Sequence, residues 1–292
     1  MNWFLLAFIS ALFSAAAAIS QKKILFKIEA LEFSLLLSIL NIIFLLPLFF
    51  FLNYENIFWD KLLILYIKTI LEAFAFWNVM LAIKNFEISK ALPLLALTPG
   101  LVAISAFIFI GDSLTLNEVF GILLLILGTY ILETKSKQDL FDPFKIFIGS
   151  KKHHYIITAL LLFTVTAIMD RLLLHKYNLE PESFLVFQNL FIAVNFVFIF
   201  LFSKKSFNLP GNYVKGDVIK LLILISFLTI VYRYTQIEAV KMAPVALVLA
   251  VKRISIFFAA VIGGRIFKEH NLLVRAAATA IIIVGVLLIS AY

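Results

Sequence analysis

Five ionisable residues stand where lipid would be expected. Lys68, Glu72, Arg233, Lys252 and Arg253 each lie inside a long apolar run. A charge at the bilayer centre costs about 2.5–3.5 kcal/mol on insertion scales, so such residues need partners or a function. Lys68 and Glu72 are four residues apart, which puts them on one helix face as an ion pair. Arg233, Lys252 and Arg253 lack an obvious carboxylate between them, and adjacent helical residues point about 100° apart. Arginine offers a planar fork suited to carboxylate or phosphate. The expected chemistry is reversible capture of a small organic anion or zwitterion by Arg233, Lys252 and Arg253, with Lys68 and Glu72 as an adjustable pair. Tyr232, Tyr234, Trp77 and Asn78 would form the walls, and Asn189, with Gln188 beside it, would add an amide. Glu72 is the candidate proton carrier.

The elements that position these residues follow from composition. Of 292 residues, 63% are apolar and 14% charged, and the mean hydropathy is +1.07. A span of bilayer needs about 20 apolar residues, so ten spans use about 200 and leave little for loops. That excludes a soluble enzyme, a nucleic-acid-binding domain, a disordered chain and a separate soluble domain. The net charge of +8 resides mainly in short loops, which reads as a topology signal rather than a nucleic-acid footprint. Apolar runs give ten predicted helices: 3–21, 32–52, 61–84, 88–110, 116–133, 155–174, 183–202, 217–240, 243–266 and 271–290. Membrane strands are excluded by length, since they need only about 10 residues of alternating polarity. Residues 3–20 read as a retained first span, because a secretory signal would carry positive charge ahead of its apolar run.

Depth along each helix brings the charges together. At 1.5 Å per residue, Glu72 falls near the midplane, with Lys68 about 5 Å, Lys252 and Arg253 about 3 Å and Arg233 about 8 Å toward the termini side. Asn189 shares that slab, and Asn41 and Asn195 lie near the midplane. Snorkelling side chains would scatter toward both interfaces instead. The alternative is that the charges only stitch helices together, through Lys68–Glu72 and Arg233–Glu238. Pro93 and Pro99 interrupt the fourth helix and Pro47 the second, each removing a backbone donor. Ser10, Ser14 and Ala18 recur every fourth residue, a seam for close helix approach in lipid.

The longest polar stretch, 134–152, has five helices on either side and so divides the chain into 1–133 and 153–292. A shift of 157 carries Asp112 onto Glu269, Gly121 onto Ala278 and Gly128 onto Gly285; upstream, a shift of 154 carries Thr98-Pro99 onto Lys252-Arg253. The difference is absorbed around Gly263-Gly264-Arg265. Five spans per half reverse the second half in the membrane, giving inverted repeats. The expected fold class is an all-α integral membrane protein of ten transmembrane helices in two inverted five-helix repeats. Lys and Arg divide seventeen to four between the two sides, which puts the linker in the cytoplasm and both termini outside a cell (inner or plasma) membrane.

Gly111-Asp112-Ser113-Leu114-Thr115 with Gly121 and Gly128, and Phe267-Lys268-Glu269 with Gly285, resemble the paired repeats of EamA-type members of the drug/metabolite transporter superfamily. That family pattern reads Gly-Glu, then Leu-Thr, then a glycine-bearing helix. Here Asp112 replaces the usual Glu, and no Leu-Thr follows Glu269. The resemblance implies a ten-helix transporter fold and leaves the substrate unnamed. Cysteine is absent, and His153-His154 has no carboxylate at ligand spacing, so neither a metal nor a cofactor is expected. His153 and His154 read as loop residues. No phosphate-binding Gly-Lys-Ser/Thr loop is present, so ATP is not the direct driver. The expectation is a secondary transporter, with a small, anionic solute and the bilayer as partners, no nucleic acid, and a homodimer as an allowed assembly. The alternative, a multispan enzyme acting on a lipid-linked substrate, would need paired catalytic groups near one interface. Asp60, Asp112, Asp170 and Glu269 are interfacial by sequence but scattered.

Overall fold

In lipid a backbone N–H has no water to bond, so each apolar run closes its hydrogen bonds on itself as a helix. The computed structural model describes residues 2–52, 58–105, 115–133, 151–173, 177–203, 216–242 and 245–290. In chain order the helices are α1 (Trp3–Leu25), α2 (Ala30–Phe49), α3 (Trp59–Asn85), α4 (Ile88–Leu95), α5 (Thr98–Ser105) and α6 (Leu116–Glu133). There follow α7 (Lys151–Arg171), α8 (Pro181–Phe202), α9 (Asp217–Met242), α10 (Val245–Phe258) and α11 (Leu272–Ser290). Among the described residues there is no strand. Seven helices (α1, α2, α3, α7, α8, α9 and α11) are long and apolar enough to cross a membrane, and the apolar stretches in α6 and at Ile254–Ile266 are shorter. The chain is a multi-pass membrane protein.

Each expected helix has its counterpart, and the ends differ in informative ways. The sixth begins at Lys151, so His153 and His154 are helical rather than loop residues. His153 is buried with its ring 4.7 Å from that of Phe86. The fourth span is broken at Ala96 and Leu97, between Pro93 and Pro99. The Ala96 N–H falls back on the Leu92 and Pro93 carbonyls, and the Thr98 hydroxyl donates to the Leu95 carbonyl at 3.1 Å. The second bond re-satisfies the carbonyl that Pro99, lacking an N–H, leaves free. The ninth span is irregular too: α10 passes into a π-helical turn at Ala259–Gly263 and a last turn at Gly264–Ile266. A π turn accommodates extra residues within a helix, and it lies where the repeat shifts from 154 to 157. Asp112 and the 134–150 part of the linker lie outside the described residues.

The outside is apolar. Leu5, Ile43, Leu63, Phe120, Phe198 and Phe227 are exposed on six different helices, as a lipid-facing surface requires. Inside, α1 packs on α9, α3 on α7, α2 on α8, and α6 on α11. One cluster joins Ile24, Phe33, Met80 and Ile225 from α1, α2, α3 and α9. A second joins Ala82, Leu94, Leu125, Ile156 and Ile282.

Lipid supplies no hydrophobic drive between helices, so α6 and α11 hold together by close backbone approach. A Cβ on Gly121 would stand 2.7 Å from the Gly285 carbonyl oxygen, and one on Gly285 would stand 2.7 Å from that of Gly121. At Gly128 the Ala278 carbonyl would be 3.0 Å away. Backbone cannot move aside as a flexible side chain can. Gly285→Ala should therefore cost about 1–3 kcal/mol, the overpacking range. A thermal melt in detergent checks this, with Gly216→Ala, whose only close neighbour is the Lys220 side chain at 3.8 Å, expected to be near neutral.

Candidate functional site

Lys68 is fully buried on α3. Its ammonium meets Glu72 Oε2 at 2.7 Å and Asp170 Oδ1 at 2.8 Å. The Phe184 ring covers it at 4.9 Å. Glu72 is held further by Gln188, whose Nε2 donates to both carboxylate oxygens at 2.6 and 2.7 Å. Phe184 and Gln188 are four apart and so share one face of α8. Three helices thus meet at one ammonium. One oxygen of Asp170 is buried against Lys68, yet the side chain as a whole is 37% exposed, against 12% for Glu72. The corner is closed toward Glu72 and open toward Asp170. Beside it, Asn195 donates to the Thr69 hydroxyl at 3.2 Å, joining α8 to α3.

A second corner is built around Tyr232 on α9. The Lys252 ammonium lies 4.8 Å from its ring centroid and the Arg233 guanidinium 5.7 Å. Lys252 also donates to the Gln236 amide oxygen, one turn on from Tyr232. The backbone here is pinned by Ser10 of α1, whose hydroxyl donates to the Tyr232 carbonyl at 2.7 Å. Arg233 is within electrostatic reach of Glu72 and Asp170, which links the two corners. Deeper in the α2–α9 contact, Ser226 donates to Asn41 at 2.7 Å.

The residues singled out from sequence divide accordingly. Lys68, Glu72, Tyr232, Arg233 and Lys252 are brought to the two corners. Arg253 is on α10, but its side chain lies outside the described ones, as does that of Pro99. The Asn189 amide is occupied by the Leu185 carbonyl at 2.9 Å, and its neighbour Gln188 makes the contact with Glu72. Asn78 likewise returns to the Phe74 carbonyl at 2.9 Å. Trp77 packs, half-buried, among the apolar side chains of α2 and α8. Tyr234 is half-exposed and about 200° around the helix from Tyr232. Asp170, which the sequence places among scattered interfacial carboxylates, and Gln236 join these corners without having been expected there. Asp170 sits one residue from the end of α7, which reads as interfacial by count, while the fold draws it onto Lys68. The usable signal was the surplus of buried cations, which called for a second carboxylate. Among the described residues no cluster of His, Cys, Asp and Glu could hold a metal ion.

A further polar assembly lies on the lysine-rich side. The Glu269 carboxylate, in the turn before α11, receives the Ile88 N–H at 2.6 Å, the Ser89 N–H at 3.0 Å and the Ser89 hydroxyl. It therefore caps α4 from the other half of the chain, where anions complement the exposed N–H groups. Arg275 on α11 donates to Ser89 Oγ at 2.8 Å and pairs with Glu87. Lys22 of α1, also buried, donates to the carbonyls of Ile83, Lys84 and Phe86, capping the C-terminal end of α3. Gly263 and Gly264 permit this approach, since a Cβ there would press on Ile88 at 2.9 Å and on the Ser89 Cβ at 3.3 Å. The α3–α4 corner is thus clamped between α1 and the turn before α11.

Two measurements test these contacts. Lys68→Met leaves two carboxylates facing each other without a cation, and breaking a buried pair costs about 3–5 kcal/mol. It should lower the melting temperature sharply, and the double change Lys68→Met with Asp170→Asn should recover part of the loss. Glu269→Gln keeps one acceptor but loses the charge at the α4 N-terminus. It should lower stability by about 0.3–1 kcal/mol, the range for a charge at a helix end, while Glu269→Ala costs more.

The comparisons agree with this architecture. No curated protein matches the sequence. One protein of known crystal structure shares the fold with a TM-score of 0.62 at 14% identity, over 98% of this chain and 95% of its own. The profile of the EamA-like transporter family matches residues 1–134 and again 151–291, once in each half and across nearly all of the sequence. On that double match, the chain belongs to the EamA-like transporter family.

Proposed function

We propose that this protein is a secondary transporter of a small organic anion or zwitterionic metabolite, moved by alternating access between two inverted five-helix repeats. The observation that carries the reading is the convergence of charged groups from α3, α7, α9 and α10 inside the bilayer span. The α3–α7 corner sets one cation against two carboxylates, a formal surplus of one negative charge. The Tyr232 corner gathers two cations, Arg233 and Lys252, on an aromatic face. An anion finds its counter-charge at the second corner, and a zwitterion has an end for each. Glu72, bonded by both Lys68 and Gln188, is poorly placed as the proton carrier; Asp170, the more open carboxylate, is the better candidate in the same corner.

The packing supports two repeats related by a pseudo-two-fold axis. Exchange α1 with α7, α2 with α8, α3 with α9, α4–α5 with α10 and α6 with α11. The α1–α9 contact then becomes α7–α3, and α2–α9 becomes α8–α3, and all four occur. The α6–α11 and α2–α8 contacts map onto themselves. The glycine seam obeys the same exchange, since Gly121 against Gly285 becomes Ala278 against Gly128. Irregular backbone falls in the paired fourth and ninth spans, as transporters place it beside their sites. Alternation would open and close the Glu269–Ser89–Arg275 clamp, which joins the halves on the lysine-rich, cytoplasmic side. Residues 1–133 and 153–292 would be the moving halves, with both termini outside the cell membrane.

Uptake in proteoliposomes tests this reading. Lys252→Gln and Arg253→Ala should each reduce transport at least about tenfold, the effect of removing one charge-assisted bond of about 1.5–3 kcal/mol. The melting temperature should stay unchanged. Loss of folded protein instead would mean that these charges only stitch helices. A thermal-shift screen against amino acids, sugar phosphates, nucleotide sugars and cationic drugs would identify the class, and stabilisation by cationic drugs alone would overturn the anion assignment.

A further inference from the structure

A separate open groove of about 360 Å³ lies at the lysine-rich end of the α1–α9 contact. It is lined by Lys23, Lys27, Asp217, Lys220, Leu221 and Leu224. We infer that it holds the headgroup of an anionic phospholipid, with the phosphate among the three lysines and an acyl chain running along Leu221 and Leu224.

Helix periodicity builds the site. Lys23 and Lys27 are four apart at the end of α1, while Asp217, Lys220, Leu221 and Leu224 recur at three- and four-residue steps on one face of α9. Behind that face, Ile24, Leu25 and Ile28 pack on Val218, Leu222 and Ile225 in a buried cluster. The backbones carrying the lysines are therefore fixed. The neighbouring lysines are occupied otherwise, Lys22 by backbone carbonyls and Lys84 by Glu29 at 2.6 Å. Lys23, Lys27 and Lys220 are exposed and have no ion pair among the described residues. Three ammonium groups and the Asp217 carboxylate leave the lining formally positive by two, which complements a phosphodiester. The volume is at the lower end of ligand pockets, about 300–1,000 Å³. A soluble phosphate would match the charge alone. The apolar floor argues for a lipid: Leu224 is half-exposed on the outer surface of α9, where acyl chains run. Basic pockets between membrane helices at the interface recognise anionic headgroups by this combination.

The site is independent of the transport reading, and its test uses no transport assay. Protein purified in a neutral detergent is incubated with phosphatidylglycerol or phosphatidylcholine at equal concentration, and retained lipid is read by native mass spectrometry. The wild type should hold one phosphatidylglycerol preferentially. Lys23→Gln, Lys27→Gln and Lys220→Gln together should lower that retention at least about tenfold, since each lysine near an anionic lipid contributes several-fold. Lys268→Gln, an exposed lysine outside the groove, should leave retention unchanged, and Asp217→Asn should increase it. Without lipid all variants should stay folded, with at most the small fall in melting temperature that removing a charge from a helix end brings, since Lys23 ends α1 and Asp217 begins α9. Equal retention of the two lipids, or retention that survives the triple change, would overturn the proposal. So would displacement of the lipid by inorganic phosphate or glycerol phosphate at comparable concentration, which would make the site one for a soluble anion.

Discussion

The governing constraint is the cost of keeping charge out of water. An ammonium as deeply buried as that of Lys68 persists only if carboxylates and polar neighbours replace its hydration. Glu72 and Asp170 do so at 2.7 and 2.8 Å, and they come from two helices. The requirement therefore fixes where α7 lies against α3. Gln188 adds α8 by bonding the free edge of Glu72. A buried ion pair is weak evidence for net stability, since hydrophobic residues of similar volume often serve as well. Its presence in a span that lipid would favour as wholly apolar points to function.

Around that corner the polar contacts are graded. The α6–α11 seam has no polar side chains at its closest points and is held by carbonyls against glycines, a contact with one good register. Asn41 with Ser226 and Thr69 with Asn195 are neutral pairs that tie helices without charge. The Tyr232 corner sets its two cations on an aromatic face, with an amide oxygen bonding Lys252 as well. Such partners are weaker than ions and can be exchanged for an incoming anion at lower cost. The Glu269 clamp is different again. It uses charge to cap helix ends, so its strength depends on α1, α4 and α11 staying in one arrangement.

Most of the architecture was legible in the sequence because lipid makes hydropathy decisive. Each expected helix is present, and α6 begins and ends where the apolar run does. The prolines located the α4–α5 break, whereas the π turn after α10 was not foreseen; the uneven repeat shift pointed only to the neighbouring Gly263-Gly264-Arg265. The Lys68–Glu72 pair followed from spacing alone. What spacing could not give was the rotation of one helix against another. That rotation decides that Gln188 rather than Asn189 faces Glu72, and that Tyr232 rather than Tyr234 faces the cations. Asp170 was unreadable for a related reason. Position near a helix end suggests an interface, yet α7 packs along α3 and Asp170 meets the Lys68 ammonium at 2.8 Å. The role of Glu269 was visible as a motif but not as a cap, because its partners Ile88 and Ser89 are about 180 residues away in the chain.

The central claim is that these charged groups border a hollow that water can reach within the bilayer. The chain contains no cysteine, so a single introduced thiol can report on it without background. A cysteine at Gln236, beside Lys252, should react with a membrane-impermeant thiol reagent in intact membranes. A cysteine at Phe227, on the lipid-facing side of the same helix, should not. Reaction at position 236 alone is the result the account predicts. Silence at both positions, with the protein folded and inserted, would contradict it.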